Sequence, residues 1–162
     1  MPRPITIDGM RFSRSMSTLA RSICEKHLPR LAEFGCRSAK LKYDISGATN
    51  DAGRPCLILE LSGTLELTCQ RCLKPMPWAI ASRAELELVA SQESIDNAID
   101  DRDRVLASKE MDVDGLVEDE IILAIPMIPR HEVCSAEGAL VASEARSPFG
   151  VLAALKRGPV RE

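Results

Sequence analysis

Aromatic side chains are scarce in this chain: one Trp, one Tyr and three Phe, 3% of 162 residues. The core must therefore be aliphatic, and the 45% hydrophobic fraction supplies the Leu, Ile, Val and Ala for it. A chain of this length folds on such a core without covalent staples. Histidine is scarcer, with two copies, so acid–base machinery has little to work with. No apolar run is long enough to span a bilayer, because residues 57–67 are interrupted by Glu60 and Glu66. The start, Met1-Pro2-Arg3-Pro4, lacks the apolar stretch of a secretory leader. The expectation is a cytoplasmic protein with no membrane partner, whose six cysteines are free thiols or metal ligands rather than a disulfide framework. A phosphate-cradling glycine loop, a nucleophile elbow and a dinucleotide fingerprint are also missing. No catalytic residue and no small-molecule substrate is assigned, and the chain reads as a non-enzyme.

What the chain does hold is charge, unevenly spread. The net charge is −3. Residues 1–42 carry nine Lys and Arg against three Asp and Glu, while residues 93–120 carry eleven acids against three bases. A basic start suits phosphate, an acidic stretch is repelled by it, and either can simply be solvated surface.

The pattern predicts an α+β fold. Leu19, Ile23 and His27 recur at fours and suggest a helix over Ser17–Leu31, with Gly35 as its stop and Pro29 as an awkward member. Ala39, Leu41, Tyr43 and Ile45 alternate with polar residues as a half-buried strand does. After a turn at 47–55, one face carries Leu57, Leu59, Leu61, Leu65, Leu67 and Cys69, and Trp78, Ile80, Ala84, Leu86 and Leu88 alternate in return. This is a long antiparallel hairpin with its tip at 69–77, and it anchors a sheet packed by a few short helices. Residues 91–111 read as an irregular acidic loop. Asp112 or Asp114 caps a helix that ends before Pro126, with Glu118, Asp119 and Glu120 as its solvated start. A short helix over Pro148–Lys156 closes the reading. The organisation expected is a basic helical segment over 1–36, an α+β domain over 37–157 and a tail at 158–162.

Cys69-Gln70-Arg71-Cys72 is the sharp motif. Two thiolates three apart on a hairpin tip chelate one zinc ion when two further ligands arrive, and His131-Glu132-Val133-Cys134 offers a second pair at the same spacing. The candidate metal ligands are Cys69, Cys72, His131 and Cys134, with zinc as the candidate cofactor; the bland alternative is a packed turn. Cys24-x-x-His27 is a rival pair. Cys36 and Cys56 read as small buried residues. A thioredoxin-like reading is excluded because a strand, not a helix, follows the motif. A zinc-deaminase reading is excluded because His131 lies downstream of the cysteines. Arg71 and Lys74 flank the tip and, with Arg11, Arg14 and Arg21 of the basic start, are the candidate RNA-binding residues. Trp78, just past the tip, is either a base-stacking ring or the largest piece of the hairpin core.

Three segments together resemble the YceD family, the large ribosomal RNA subunit accumulation proteins: Leu67–Pro75, Val117–His131 and Pro148–Lys156. Their order, spacing and intervening acidic gap fit as well. The resemblance implies a non-enzymatic factor in the synthesis, processing or stability of large-subunit (23S) ribosomal RNA. Only Cys69 and Cys72 match a family hallmark; Cys24 and His27 match none. The expected partner is ribosomal RNA precursor or an early large-subunit particle. The alternative is an acidic adaptor, in which the loop and the Glu118–Glu120 helix hold a basic ribosomal protein without touching RNA.

Overall fold

A strand that buries one face must alternate, and the alternating stretches become the sheet. In a computed structural model of the chain, residues 4–134 are described. The elements run β1 (Thr6–Ile7), α1 (Gly9–Arg14), β2 (Thr18–Cys24), two 3-10 helices (Glu25–His27 and Pro29–Phe34), β3 (Ser38–Thr49), β4 (Pro55–Thr68), β5 (Pro75–Val89), α2 (Glu93–Asp96), β6 (Arg104–Leu106), β7 (Met111–Asp112) and α3 (Val113–Ala124). Five strands form one sheet in the order β2-β3-β4-β5-β6, antiparallel except for the parallel β5–β6 pair, and β1 with β7 forms a second, two-stranded ladder. The α+β expectation and the long β4–β5 hairpin both hold.

One face of the large sheet is apolar. Leu41, Tyr43 and Ile45 of β3, Leu57 to Leu67 at alternate positions of β4, and Met76, Ile80 and Leu88 of β5 are buried against Val113, Val117 and Ile121 of α3. Each such aliphatic side chain contributes roughly 1.5–3 kcal/mol on burial. Gly63 sits mid-strand at φ 150, and a Cβ there would press into the Lys40 carbonyl and lie 2.8 Å from the Leu41 Cα. Glycine is required by this close approach of β3. The opposite face of the sheet is open: Ser22, Lys40, Lys42, Ser62, Thr64, Ala79 and Ala81 are all exposed.

Three expectations are corrected. Ser17–Leu31 is not a helix: Thr18–Cys24 is the edge strand β2, paired with β3 from Thr18↔Ser46 to Cys24↔Lys40. The fourfold spacing of Leu19 and Ile23 is equally a period of two, and the β3 edge decides between them. Pro29 opens the second 3-10 helix at its first turn, where its missing N–H costs nothing, and Gly35 closes that helix at φ 74. Residues 91–111 are not wholly irregular, since Arg104–Leu106 adds a strand beside β5. Glu118 is not solvated: it is 4% exposed, and its carboxylate accepts from Arg30 Nε at 2.9 Å and from the backbone amides of Arg30 at 2.7 Å and Leu31 at 3.2 Å. The expected helix over Pro148–Lys156 and the tail at 158–162 lie outside the described residues.

Candidate metal centre

The tip of the β4–β5 hairpin is a tight turn. The Cys69 amide donates to the Lys74 carbonyl at 3.0 Å and the Leu73 amide to the Cys69 carbonyl at 2.9 Å, with Leu73 in the left-handed region at φ 60. The turn thereby aims both Cys69 and Cys72 at the chain that leaves α3. Pro126 ends that helix, and the following segment docks on the tip through Gln70 N–H to the Pro129 carbonyl at 2.8 Å.

This docking brings the two sequence pairs together. Cys69, Cys72, His131 and Cys134 present donor atoms that all lie within 4.8 Å of one another. Cys69 Sγ is 3.6 Å from Cys134 Sγ, Cys72 Sγ is 3.4 Å from His131 Nδ1, and Cys134 Sγ is 3.9 Å from the same nitrogen. A zinc tetrahedron with ordinary Zn–S and Zn–N bonds has edges of about 3.8 Å between sulfurs and about 3.5 Å between sulfur and nitrogen. The three distances lie close to those edges, and no pair of donor atoms is more than 4.8 Å apart. His131 Nε2 lies 3.2 Å from the Pro75 carbonyl, which only accepts, so the ring proton sits on Nε2 and the Nδ1 lone pair faces the sulfurs. A backbone carbonyl fixing the tautomer of a ligating histidine is the usual outer support of such sites. Burial pushes the Cys69 thiol up, but the amides of Cys72, His131 and Arg71 and the Cys134 thiol outweigh it and lower its pKa to about 5. The Lys74 amide favours the Cys72 thiolate, yet burial and the neighbouring sulfurs prevail and raise it. Four donors with no open position suit a structural ion rather than a catalytic one.

The other predicted site residues are scattered. Cys24 Sγ lies 3.5 Å from His27 Nδ1 across the end of β2, but no third ligand joins them among the described residues. Cys36 and Cys56 are buried, as expected, and burial raises both thiols. Trp78 is half-buried and packs on the core, so it belongs to the hairpin interior. Arg71 and Lys74 are exposed beside the cluster, and Arg71 also donates to the His131 carbonyl at 3.4 Å. Arg11 and Arg14 are exposed on α1, which packs against Gly47 at the other end of the sheet. Arg21 is half-buried and paired with Asp114 at 3.2 Å. Missed in the sequence were Pro75, whose carbonyl orients His131, and Glu118, which moors the Pro29–Phe34 helix to α3. The spacing of carboxylates along α3 gave no sign of which of them turn inward.

The comparisons with known proteins bear on this arrangement directly. The family model of the large ribosomal RNA subunit accumulation protein YceD matches residues 57–156, which include all but the first two residues of the β4–β5 hairpin, α3 and all four donor residues. A protein of Haemophilus influenzae named large ribosomal RNA subunit accumulation protein YceD is 33% identical over 170 residues, covering 95% of this chain and 96% of its own. No solved structure matches. With most of its length matched by the model and nearly all of it by this relative, the chain belongs to the YceD family.

Proposed function

We propose that this protein is a non-enzymatic factor in the synthesis, processing or stability of large-subunit ribosomal RNA, and that it contacts that RNA directly. The RNA class follows the name of the Haemophilus influenzae relative, a large ribosomal RNA subunit accumulation protein. The observation that carries the mode of action is the hairpin tip. A closed Cys3His donor set holds a turn on which Arg71 and Lys74 stand exposed, next to exposed Arg130. Zinc bound there supplies no chemistry beyond fixing the two segments; the cations around it meet phosphate.

The adaptor reading is less well supported, because the acids of α3 are already engaged inside the molecule. Asp114 pairs with Arg21, Glu118 and Asp119 pair with Arg30, and Glu120 accepts from Ser82. In-cell crosslinking mapped to nucleotides tests the proposal. Crosslinks concentrated on large-subunit precursor RNA, and lost on joint Arg71→Glu and Lys74→Glu substitution, are expected. Crosslinks spread in proportion to RNA abundance would overturn it. Native mass spectrometry of protein purified without chelator is expected to show one bound zinc; a metal-free mass rules out the metal part.

A further inference from the structure

The open face of the large sheet divides into two electrostatic halves. Toward the α1 end, Asp44 and Glu60 face one another across β3 and β4, Arg83 is tied to Glu60 at 2.7 Å, and Glu85 lies beyond. Toward the hairpin tip the pattern changes. Lys40 stands between Cys24 and Thr64, and Lys42 between Ser22 and Ser62, with Ala79 and Ala81 completing the rows. No carboxylate occupies these two cross-strand rows, and neither lysine makes an ion pair among the described residues. A shallow cleft of about 400 Å³ lies here, lined by Ser22, Cys24, His27, Lys40, Lys42 and Ser62, among others.

We infer that this half of the open sheet face, centred on Lys40 and Lys42, is a docking surface for the phosphate backbone of single-stranded RNA. The inference rests on the RNA reading above and names the surface that the reading leaves open. Three features support it. The lysines are two residues apart on one face, about 7 Å along the strand, and extended strands present such cations in line. Their neighbours are small or hydroxylated, so a backbone can approach closely and find donors beside the charges. The row also leads to the tip. Arg37, exposed, is held by its Nε to Thr68 Oγ1 at 3.3 Å, and Thr68 is the last residue before the Cys69 turn. Lys42, Lys40 and Arg37 thus form a cationic track that runs from the middle of the sheet toward Arg71 and Lys74. Four acids border the track: Asp44 and Glu60 share a cleft with Lys42 one row toward α1, Glu66 pairs with Ser38 one row toward the tip, and Glu25 accepts from the Ala39 amide; none lies in the Lys40 or Lys42 row, and Glu60 is already tied to Arg83. Few aromatics on this face means that binding reads phosphate rather than base, with strong salt dependence and weak sequence preference.

The test uses the full-length, metal-replete protein and a single-stranded fragment of large-subunit precursor RNA, with affinity measured across salt concentrations. Joint Lys40→Glu and Lys42→Glu substitution is expected to weaken binding roughly tenfold or more and to lower the salt slope by about 1.4, near 0.7 per lost phosphate contact. Lys40→Gln and Lys42→Gln should give the same direction with a smaller loss, which guards against misfolding by like charge, and Lys109→Glu, on an exposed loop away from the face, should change little. Binding by wild type with unchanged affinity and slope in both paired variants would overturn the surface while leaving the RNA reading intact. Failure of the wild-type protein to bind RNA at all would overturn both. Loss of a ribosomal-protein contact instead of RNA affinity in the paired variants would assign the face to a protein and likewise overturn the inference.

Discussion

Glu87 is the most buried charged side chain among the described residues, at 2% exposure. Its carboxylate accepts from Arg54 Nη1 at 2.7 Å, Asn50 Nδ2 at 2.9 Å and Arg104 Nε at 3.2 Å, so one acid ties the β3–β4 turn and β6 to the end of β5. Arg54 above all, then Asn50 and Arg104, hold its pKa below the ordinary 4.5 against the opposing effect of burial. A depressed carboxylate stabilises the fold fully above its unfolded value and ceases to do so as pH falls through its folded one. Glu87→Gln should therefore cost about 3 kcal/mol at pH 7, by leaving the nearly buried Arg104 with only the exposed Asp100 as counter-charge and Arg54 with none among the described residues. The deficit should shrink well below pH 4.5, where wild type is protonated too. Urea unfolding at neutral and acid pH checks both halves; an equal deficit at the two pH values would show that packing, not charge, is lost. At this scale the sequence was partly legible. Two pairs at identical spacing announced the Cys69, Cys72, His131 and Cys134 cluster, because chelation needs fixed separations. Glu87 announced nothing, since a buried acid at an alternating strand position looks like a solvated one until its arginines arrive from residues 54 and 104.

Among the elements, β2 and α3 show where local pattern stops deciding. An amphipathic stretch of seven residues fits a helix or an edge strand alike, and β2 is a strand because β3 offers it a ladder. The hairpin was legible for the opposite reason: fourteen and fifteen residues that alternate along most of β4 and β5 leave no competing period. On α3, Asp112 caps the first turn by accepting from the Gly115 amide at 3.2 Å, and the Asp112→Ala change should lower stability by about 1 kcal/mol in thermal or chemical unfolding. Glu118 matters more. It supplies acceptors to two backbone amides of the Pro29–Phe34 helix and to Arg30; Glu118→Ala leaves both amides without this acceptor and Arg30 with Asp119 as its remaining carboxylate. The expected cost is about 3 kcal/mol, with hydrogen exchange rising first at residues 28–34; exchange unchanged there would show that the helix is held by Leu28 and Leu31 packing alone.

For the whole molecule, the two kinds of tie act over different distances. The sheet is held by contacts between neighbouring strands and by the leucine face, to which the tip adds only the buried Cys69 and the half-buried Cys72. The Cys3His cluster instead joins residues 69–72 to residues 131–134, across everything between them. If the cluster holds zinc as proposed, removing it, or substituting Cys72→Ser, should therefore leave the far-UV dichroism of the sheet in place while freeing the chain after Pro126 from the hairpin. Hydrogen exchange should rise at residues 69–74 and 127–134 and stay protected in β3 and the body of β4. An ion saturated a thousandfold over its dissociation constant contributes roughly 4 kcal/mol to a site present only in the folded state. Loss of that amount should lower the unfolding midpoint without abolishing cooperativity. Collapse of the sheet together with the metal would mean instead that the ion is required for the fold itself. A fall in RNA affinity on metal removal, with Lys40 and Lys42 untouched, would then measure how much of the binding depends on the tip being held in line with the track of the sheet.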